Sequence, residues 1–182
     1  TPYAVHVKGV EIGAHGIRSG RSTPIRYALS PQGGDHTSSA SDGYREFAGA
    51  VFSDSAVVCN FSMDRARQWD FLKAVTGWEI TSDSWSTYNG PKIYQIQRAL
   101  LLLGGPDLFW DPKVHDDNPP RFYEPLPTGP YKGKAADRKE MEEMRKNYYE
   151  TIGWDENGIP SSEDLKRLGL EDVDRVLKKL RK

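Results

Sequence analysis

The sequence predicts an all-α, multihelical fold with an irregular Gly/Pro-rich N-terminal segment and an extended Pro-rich strap. Two observations lead to this prediction. Apolar residues recur at helical spacing in stretches bounded by capping residues and glycines, and prolines are concentrated in one later segment. With 182 residues, 37% hydrophobic and 28% charged, the chain has the composition of a folded globular protein of one domain or two small helical lobes.

The N-terminal part carries weak local signals. Residues 1–34 are rich in Gly, Ser and Pro, and the alternation in residues 4–7 predicts brief strands within irregular connecting structure. From Tyr44 a stretch without Pro has apolar residues at helical spacing. We expect a helix there that ends near Cys59.

Two further helices are signalled by their ends. Residues 64–76 predict a helix that Asp64 caps and Gly77 stops. Another helical pattern follows Thr81, and Pro91 interrupts it. Because proline lacks an N–H donor and clashes with the preceding turn, we expect either a kink or a fresh helix at that point.

The segment 106–133 contains seven prolines. It cannot form regular helix or central strand, so we expect an extended strap and a possible domain sub-boundary there. The aromatic pairs Phe109-Trp110 and Phe122-Tyr123 are expected to pin the strap onto the helices rather than to bind a ligand.

The C-terminal part has the strongest pattern. Residues 136–152 predict an amphipathic helix with a solvated charged face. A turn and two short helices, from Ser162 and Glu171, are expected to follow.

Charge and cysteine content exclude several classes. A formal charge of −1 gives no basic field for nucleic acid or an anionic membrane. No apolar run could span a bilayer, and Thr1 does not begin a signal peptide, which predicts a cytoplasmic protein cut from a larger chain. The only cysteine, Cys59, excludes an internal disulfide, and any metal it binds needs ligands from elsewhere.

Local motifs carry a family resemblance. The run from Tyr148 to Pro160, followed by Leu168-Gly169-Leu170, resembles the C-terminal signature of the aldehyde:ferredoxin oxidoreductase family. Further stretches occur in the family's order, at residues 7–11, 32–36, 54–59, 77–79 and 127–133. The resemblance covers nearly the whole chain and corresponds to the last third of a family member.

The resemblance implies a function that the chain shares with missing parts. In the complete protein this helical region, residues 1–182, would face a β-rich domain across a tungsten (or molybdenum) bis-pterin and a [4Fe–4S] cluster. The partners would be N-terminal domains of the same parent chain, ferredoxin or a similar electron carrier, and a small aldehyde or acid substrate. The reaction would oxidise an aldehyde to a carboxylic acid, and the isolated chain is expected to be inactive.

Cys59 is the metal-ligating candidate. The resemblance implies that it is the fourth thiolate of the cluster, whose irons each need one terminal ligand. Without the motif, the favoured interpretation of Cys59 is a buried thiol that acts as a small apolar group.

The resemblance makes Asp54 and Val58 the cofactor-binding positions, with Asp54 accepting hydrogen bonds from a pterin. An ordinary solvated Asp is the alternative. The family motif has Gly-Leu where this chain has Val57 and Val58. A β-branched residue cannot adopt positive φ without strain, so an altered turn is expected.

His36 is the catalytic candidate that the resemblance implies. Its imidazole would hydrogen-bond the substrate oxygen and exchange a proton near neutral pH. Ser38 stands where better-known members carry a lysine, and the segment from His36 to Cys59 is shorter than expected. A surface loop histidine is the alternative.

Two other functions remain open at this point. One is a family variant that reduces an aromatic acid or thioester, because the pocket rather than the fold sets the substrate. The other is a helical scaffold or interaction domain that binds no cofactor. A Cys-x-x-Cys-x-x-x-Cys run before Thr1 in the parent chain would favour the enzyme.

Overall fold

A computed structural model describes residues 4–13, 16–19, 23–36, 51–59, 61, 64–104 and 111–181. It confirms a mostly helical fold. The predicted brief strands are a hairpin in which β1 (His6–Val7) pairs antiparallel with β2 (Val10–Glu11). Its two turn residues both have positive φ, 51° at Lys8 and 79° at Gly9, as a tight two-residue hairpin turn requires.

After a 3₁₀ turn at Ile17–Ser19 comes the short helix α1 (Ile25–Ala28). The next helix, α2, is described at residues 51–55. The predicted start of α2 near Tyr44 lies outside the described residues. The predicted end near Cys59 is wrong by a few positions, because the backbone turns left-handed at Val57, where φ is 55°.

The next helix, α3 (Gln68–Thr76), begins later than predicted. Asp64 accepts a hydrogen bond from the Ala66 N–H at 3.0 Å, so it closes a separate turn instead of capping the helix. The predicted stop is confirmed, since Gly77 takes φ of 74° and donates its N–H to the Lys73 carbonyl.

A long helical stretch follows Thr81. It comprises α4 (Ser82–Ser84), a π-helical segment Trp85–Asn89, and α5 (Gly90–Leu103). Pro91 lies in the first turn of α5, but no separate helix start occurs there, because the backbone at Asn89 and Gly90 is helical and continues from the π-helical segment. Because Pro91 has no N–H to offer the Thr87 carbonyl, that carbonyl accepts from Arg167 at 3.1 Å.

The strap is largely irregular, as predicted, but it contains one helical turn that was not expected. This turn, α6 (Pro112–His115), forms because Pro112 occupies its first position and Asp111 caps it. A 3₁₀ turn follows at Pro120–Tyr123. Phe122 is buried and pins the strap as predicted, whereas Phe109 and Trp110 lie outside the described residues.

The C-terminal helices confirm the sequence pattern: α7 (Arg138–Thr151), α8 (Ser162–Arg167) and α9 (Glu171–Leu177). Asp137 caps α7 by accepting from the N–H groups of Lys139 and Glu140. No helix in the described ranges is long and apolar enough to cross a bilayer.

Three apolar clusters hold these elements together. The largest joins α1, α2, the long helical stretch and α7, and a second joins α5 to the C-terminal helices. The third lies under the hairpin and contains Val7, Ile17, Tyr27 and Phe122. The hairpin and α2 thus both pack against the apolar interior.

Candidate functional site

The loop 32–36 lies directly on the N-terminal hairpin. A Cβ added to Gly34 would come within 2.6 Å of the Glu11 carbonyl oxygen, and one added to Gly33 would overlap the Val7 carbonyl. The Gly13 N–H donates to the Gly34 carbonyl at 3.3 Å. Only glycine allows this close approach of two backbones, so the loop is seated closely against the hairpin.

Gln32 connects this loop to α2. Its amide Nε2 donates to the Asp54 carboxylate oxygen Oδ2 at 3.0 Å. Asp54 is exposed at the end of α2, so its carboxylate faces solvent as well as Gln32. The structure therefore brings the predicted pterin ligand into contact with the loop that carries His36.

His36 is half-buried at the end of the loop. Arg26 in α1 donates from Nη2 to the His36 carbonyl oxygen at 3.0 Å, which anchors its backbone. A Cβ on Gly13 would meet the His36 Nδ1 at 2.6 Å, so the imidazole packs against the glycine backbone. Ser38 lies outside the described residues.

The turn that precedes Cys59 ends α2 in a Schellman arrangement. The Val58 N–H donates to the Ser53 carbonyl at 3.0 Å, and the Val57 N–H to the Asp54 carbonyl at 3.4 Å. Val57 occupies the left-handed position that usually takes glycine. Val57 thus adopts positive φ in spite of its branched Cβ, and the expectation that the turn differs from the family's turn stays a prediction.

Cys59 is exposed, so the alternative of a buried structural thiol does not describe it. Its surroundings are unusually apolar for a surface. Exposed fractions reach 90% at Val57 and 89% at Phe61, and Val58 is 39% exposed. Across the described part of the chain, no three His, Cys, Asp or Glu side chains are grouped closely enough to hold a metal ion.

A second apolar surface lies on the nearby helix α3. Its inner residues Trp69 and Leu72 pack against the cluster around Phe52. On its outer side Phe71 and Val75 are 55% and 85% exposed, and none of its residues is buried. Large exposed apolar side chains of this kind typically mark surfaces that contact another protein part.

Sequence reasoning missed a buried ion cluster beneath the hairpin. Arg98 binds Asp116 through both terminal nitrogens, at 3.1 and 2.6 Å, and Lys8 Nζ lies 3.0 Å from the same carboxylate. Tyr149 donates its hydroxyl to Asp116 at 2.5 Å. The one available signal was a charged residue, Arg98, on the core-facing side of α5.

The charges of this cluster depend on one another. Burial alone would raise the pKa of Asp116, but the charges of Arg98 and Lys8 and the hydrogen bonds it accepts hold it well below its usual range. Burial lowers the pKa of Lys8 despite its pairing with Asp116. The Arg98 guanidinium also lies 4.0 Å from the centre of the Trp154 ring and donates to the Gly158 carbonyl at 2.8 Å.

Comparison with known families agrees with the fold and the motifs. Residues 1–170 match the family model for aldehyde ferredoxin oxidoreductase, domains 2 & 3. The fold and this match define the chain as helical domains of an oxidoreductase. The chain belongs to the aldehyde ferredoxin oxidoreductase family.

Three similar proteins come from Pyrococcus species. The whole chain is 50% identical to the aliphatic sulfonate oxidoreductase, WOR-like subunit, of Pyrococcus furiosus, and it covers 30% of that protein. It is 35% identical to the tungsten-containing aldehyde ferredoxin oxidoreductase of Pyrococcus horikoshii, over 65% of this chain and 19% of that protein. The chain thus spans less than a third of the length of these relatives.

Proposed function

We propose that this chain forms one wall of the cofactor site of a tungsten-pterin, iron–sulfur oxidoreductase. The complete protein would convert an aldehyde to a carboxylic acid and pass the electrons to ferredoxin or a similar carrier. The observation that carries the proposal is the exposure of Cys59 at the end of the family motif, beside exposed apolar side chains. N-terminal domains of the parent chain would cover this surface, in the cytoplasm.

Cys59 would supply one thiolate to a [4Fe–4S] cluster. Such a cluster needs four terminal ligands, and the chain contains a single cysteine, so the other three would come from the parent's preceding residues. An exposed thiol on a surface that another domain covers can be shared in this way. A thiol enclosed by its own helices could not.

Asp54 and Val58 would contact the pterin. The Asp54 carboxylate is exposed and suits the adjacent N–H donors of a pterin ring, because hydrogen bonds to a charged acceptor are short and strong. Gln32 donates a hydrogen bond to the Asp54 oxygen Oδ2, which orients the carboxylate. Val58 lies between Asp54 and Cys59 with a partly exposed side chain that can pack against the ring.

His36 would hydrogen-bond the substrate oxygen and transfer a proton. Oxidation of an aldehyde adds an oxygen atom from water and releases two electrons and two protons, so a nearby base is required. When bound, the tungsten bis-pterin supplies the two-electron chemistry and the cluster relays electrons onward. The contacts of Arg26 and Gly13 hold His36 in place for that task.

A second substrate class is favoured by one observation. The relative that matches the whole chain at 50% identity is named an aliphatic sulfonate oxidoreductase subunit. The parent protein could therefore act on aliphatic sulfonates instead of simple aldehydes. Assays of the full-length protein with short aldehydes and with alkanesulfonates, each with a dye acceptor, would separate the two classes. An aromatic acid or thioester, with a reduced dye as the electron donor, would test the reductive variant.

Metal and pterin analysis of the full-length parent tests the proposal as a whole. We expect tungsten or molybdenum, pterin, and about four iron atoms per chain, with the broad visible absorption of an iron–sulfur cluster. The 182-residue chain alone should bind neither metal, because one thiolate cannot hold the cluster. A parent without iron and pterin, and without a Cys-x-x-Cys-x-x-x-Cys run before Thr1, would instead support the cofactor-free scaffold.

A further inference from the structure

Lys8 occupies the first position of the hairpin turn, where the turn requires positive φ, and its side chain is held from below. Its φ of 51° is uncommon for a residue with a Cβ and persists only where the surroundings hold it. The Lys8 side chain is only 6% exposed, and Nζ lies 3.0 Å from Asp116. Nζ also donates to the Ala28 carbonyl oxygen. The turn of the hairpin is therefore fixed from beneath by a buried ammonium group.

The charge of Lys8 is not needed to balance Asp116. Arg98 already pairs with that carboxylate through two hydrogen bonds. With Lys8 added, two buried cations share one carboxylate, and burial lowers the pKa of the Lys8 ammonium. A buried second cation is a poor way to gain stability alone, so its presence calls for another explanation.

The hairpin turn supports the loop 32–36. A Cβ on Gly33 would lie 3.2 Å from the Lys8 Cβ, and one on Gly34 would contact the Val10 and Glu11 carbonyl oxygens. Any displacement of the turn is therefore transmitted to the loop. The loop in turn carries Gln32, which binds Asp54.

We propose that Lys8 is a positioning residue, whose buried ion pair with Asp116 fixes the hairpin turn and thereby places Gln32 against Asp54 and holds the backbone that leads to His36. Its consequence for catalysis rests on the proposed function, in which Asp54 and His36 act at the cofactor. The placement of the loop by Lys8 does not depend on that function.

Amide hydrogen exchange of the full-length parent protein tests this role. Lys8→Met keeps the length of the side chain and removes its charge, while Asp116 stays paired with Arg98. We expect exchange at residues 32–36 to become about tenfold faster, while exchange in α8 and α9 changes by less than about twofold. Arg181→Met is the matched control, because Arg181 anchors the C-terminal end through Asp174 and the Pro160 carbonyl.

In the control Arg181→Met, amide exchange near α9 should become faster, and exchange at residues 32–36 should stay the same. Equal exchange at residues 32–36 in Lys8→Met and the unaltered protein would overturn the proposal. A uniform increase over the whole chain, or a variant that fails to fold, would also overturn it, because Lys8 would then support the core as a whole. Metal analysis of the unaltered parent decides the proposed function separately, so the two failures can be distinguished.

Discussion

Val57 shows how one residue can hold an unfavourable conformation next to a candidate site. It is 90% exposed and has φ of 55°, which costs a β-branched residue about 1–2 kcal/mol. Val57→Gly removes this strain. Because glycine gives the unfolded chain more conformational freedom, the substitution also stabilises the unfolded state by about 0.4–1 kcal/mol. We expect a net gain of about 0.5–1 kcal/mol in the free energy of unfolding, measured by urea denaturation.

Val75 provides the matched control for this substitution. It is 85% exposed but lies within α3, where a glycine weakens the helix. Val75→Gly should lower the free energy of unfolding by about 0.5 kcal/mol. A loss of stability of the same size in both variants would show that Val57 is not strained.

Asp116 governs the stability of the buried ion cluster. Asp116→Asn leaves Arg98 and Lys8 buried without a counter-charge, which should cost about 3–5 kcal/mol at pH 7. The folded-state pKa of Asp116 is depressed, so its contribution is present above the unfolded pKa of about 3.9 and is lost as pH falls. The difference between the variant and the unaltered protein should therefore shrink below about pH 4.

Urea denaturation at pH 7 and pH 3 checks this dependence. Glu79→Gln is the control, because its ion pair with Lys73 is well exposed and should contribute less than about 1 kcal/mol. An Asp116→Asn cost that is the same at both pH values would contradict the assigned charge state.

At the residue scale, the sequence predicted local features better than distant partnerships. The motif placed Asp54, Val57 and Cys59 on one short segment, but it did not predict the positive φ of Val57. The pairing of Lys8 with Asp116 could not be predicted, because the two lie in segments that only the tertiary fold brings together. Gln32 was missed as the partner of Asp54 for the same reason.

At the element scale, the capping box before α4 fixes where the long helical stretch begins. The Thr81 hydroxyl accepts from the Ser84 N–H at 3.1 Å, and Ser84 Oγ accepts from the Thr81 N–H at 2.9 Å. Thr81→Ala removes one of these two hydrogen bonds, which should lower the free energy of unfolding by about 1 kcal/mol. Chemical denaturation measures this cost directly.

Thr151→Ala serves as the comparison, because Thr151 is exposed at the end of α7 and only bonds its own helix backbone. The free energy of unfolding of the Thr151→Ala variant should differ from that of the unaltered protein by less than about 0.5 kcal/mol, since alanine is a better helix former than threonine. If both threonine variants lost the same stability, the capping box would not be the cause of the Thr81 effect.

The helix ends that the sequence predicted correctly, at Gly77 and Thr81, have local chemical signals. The start of α3 was misplaced because Asp64 uses its carboxylate in a preceding turn, and the same residue type serves both purposes. The π-helical segment Trp85–Asn89 was not predicted, although it lies just before Pro91, which lacks the N–H that a regular helix would use.

At the scale of the whole molecule, the helical class and the family were evident from periodicity and motifs, and both are confirmed. The surface could not be predicted in this way. Hydrophobic periodicity does not tell whether Phe61, Phe71 or Val75 packs inside the chain or remains exposed for another domain. In the proposed shared site, another domain of the parent protein would cover these exposed side chains.

Iron content of the full-length parent carrying Cys59→Ser tests the central claim most directly. Ser55→Ala is the control, because Ser55 is exposed on the same segment and has no proposed ligand role. If Cys59 is the fourth cluster ligand, Cys59→Ser should lose most of its iron and its visible cluster absorption, and the control should retain both. Iron content and absorption in Cys59→Ser equal to those of the control would contradict the assignment of this thiol and the shared site built on it.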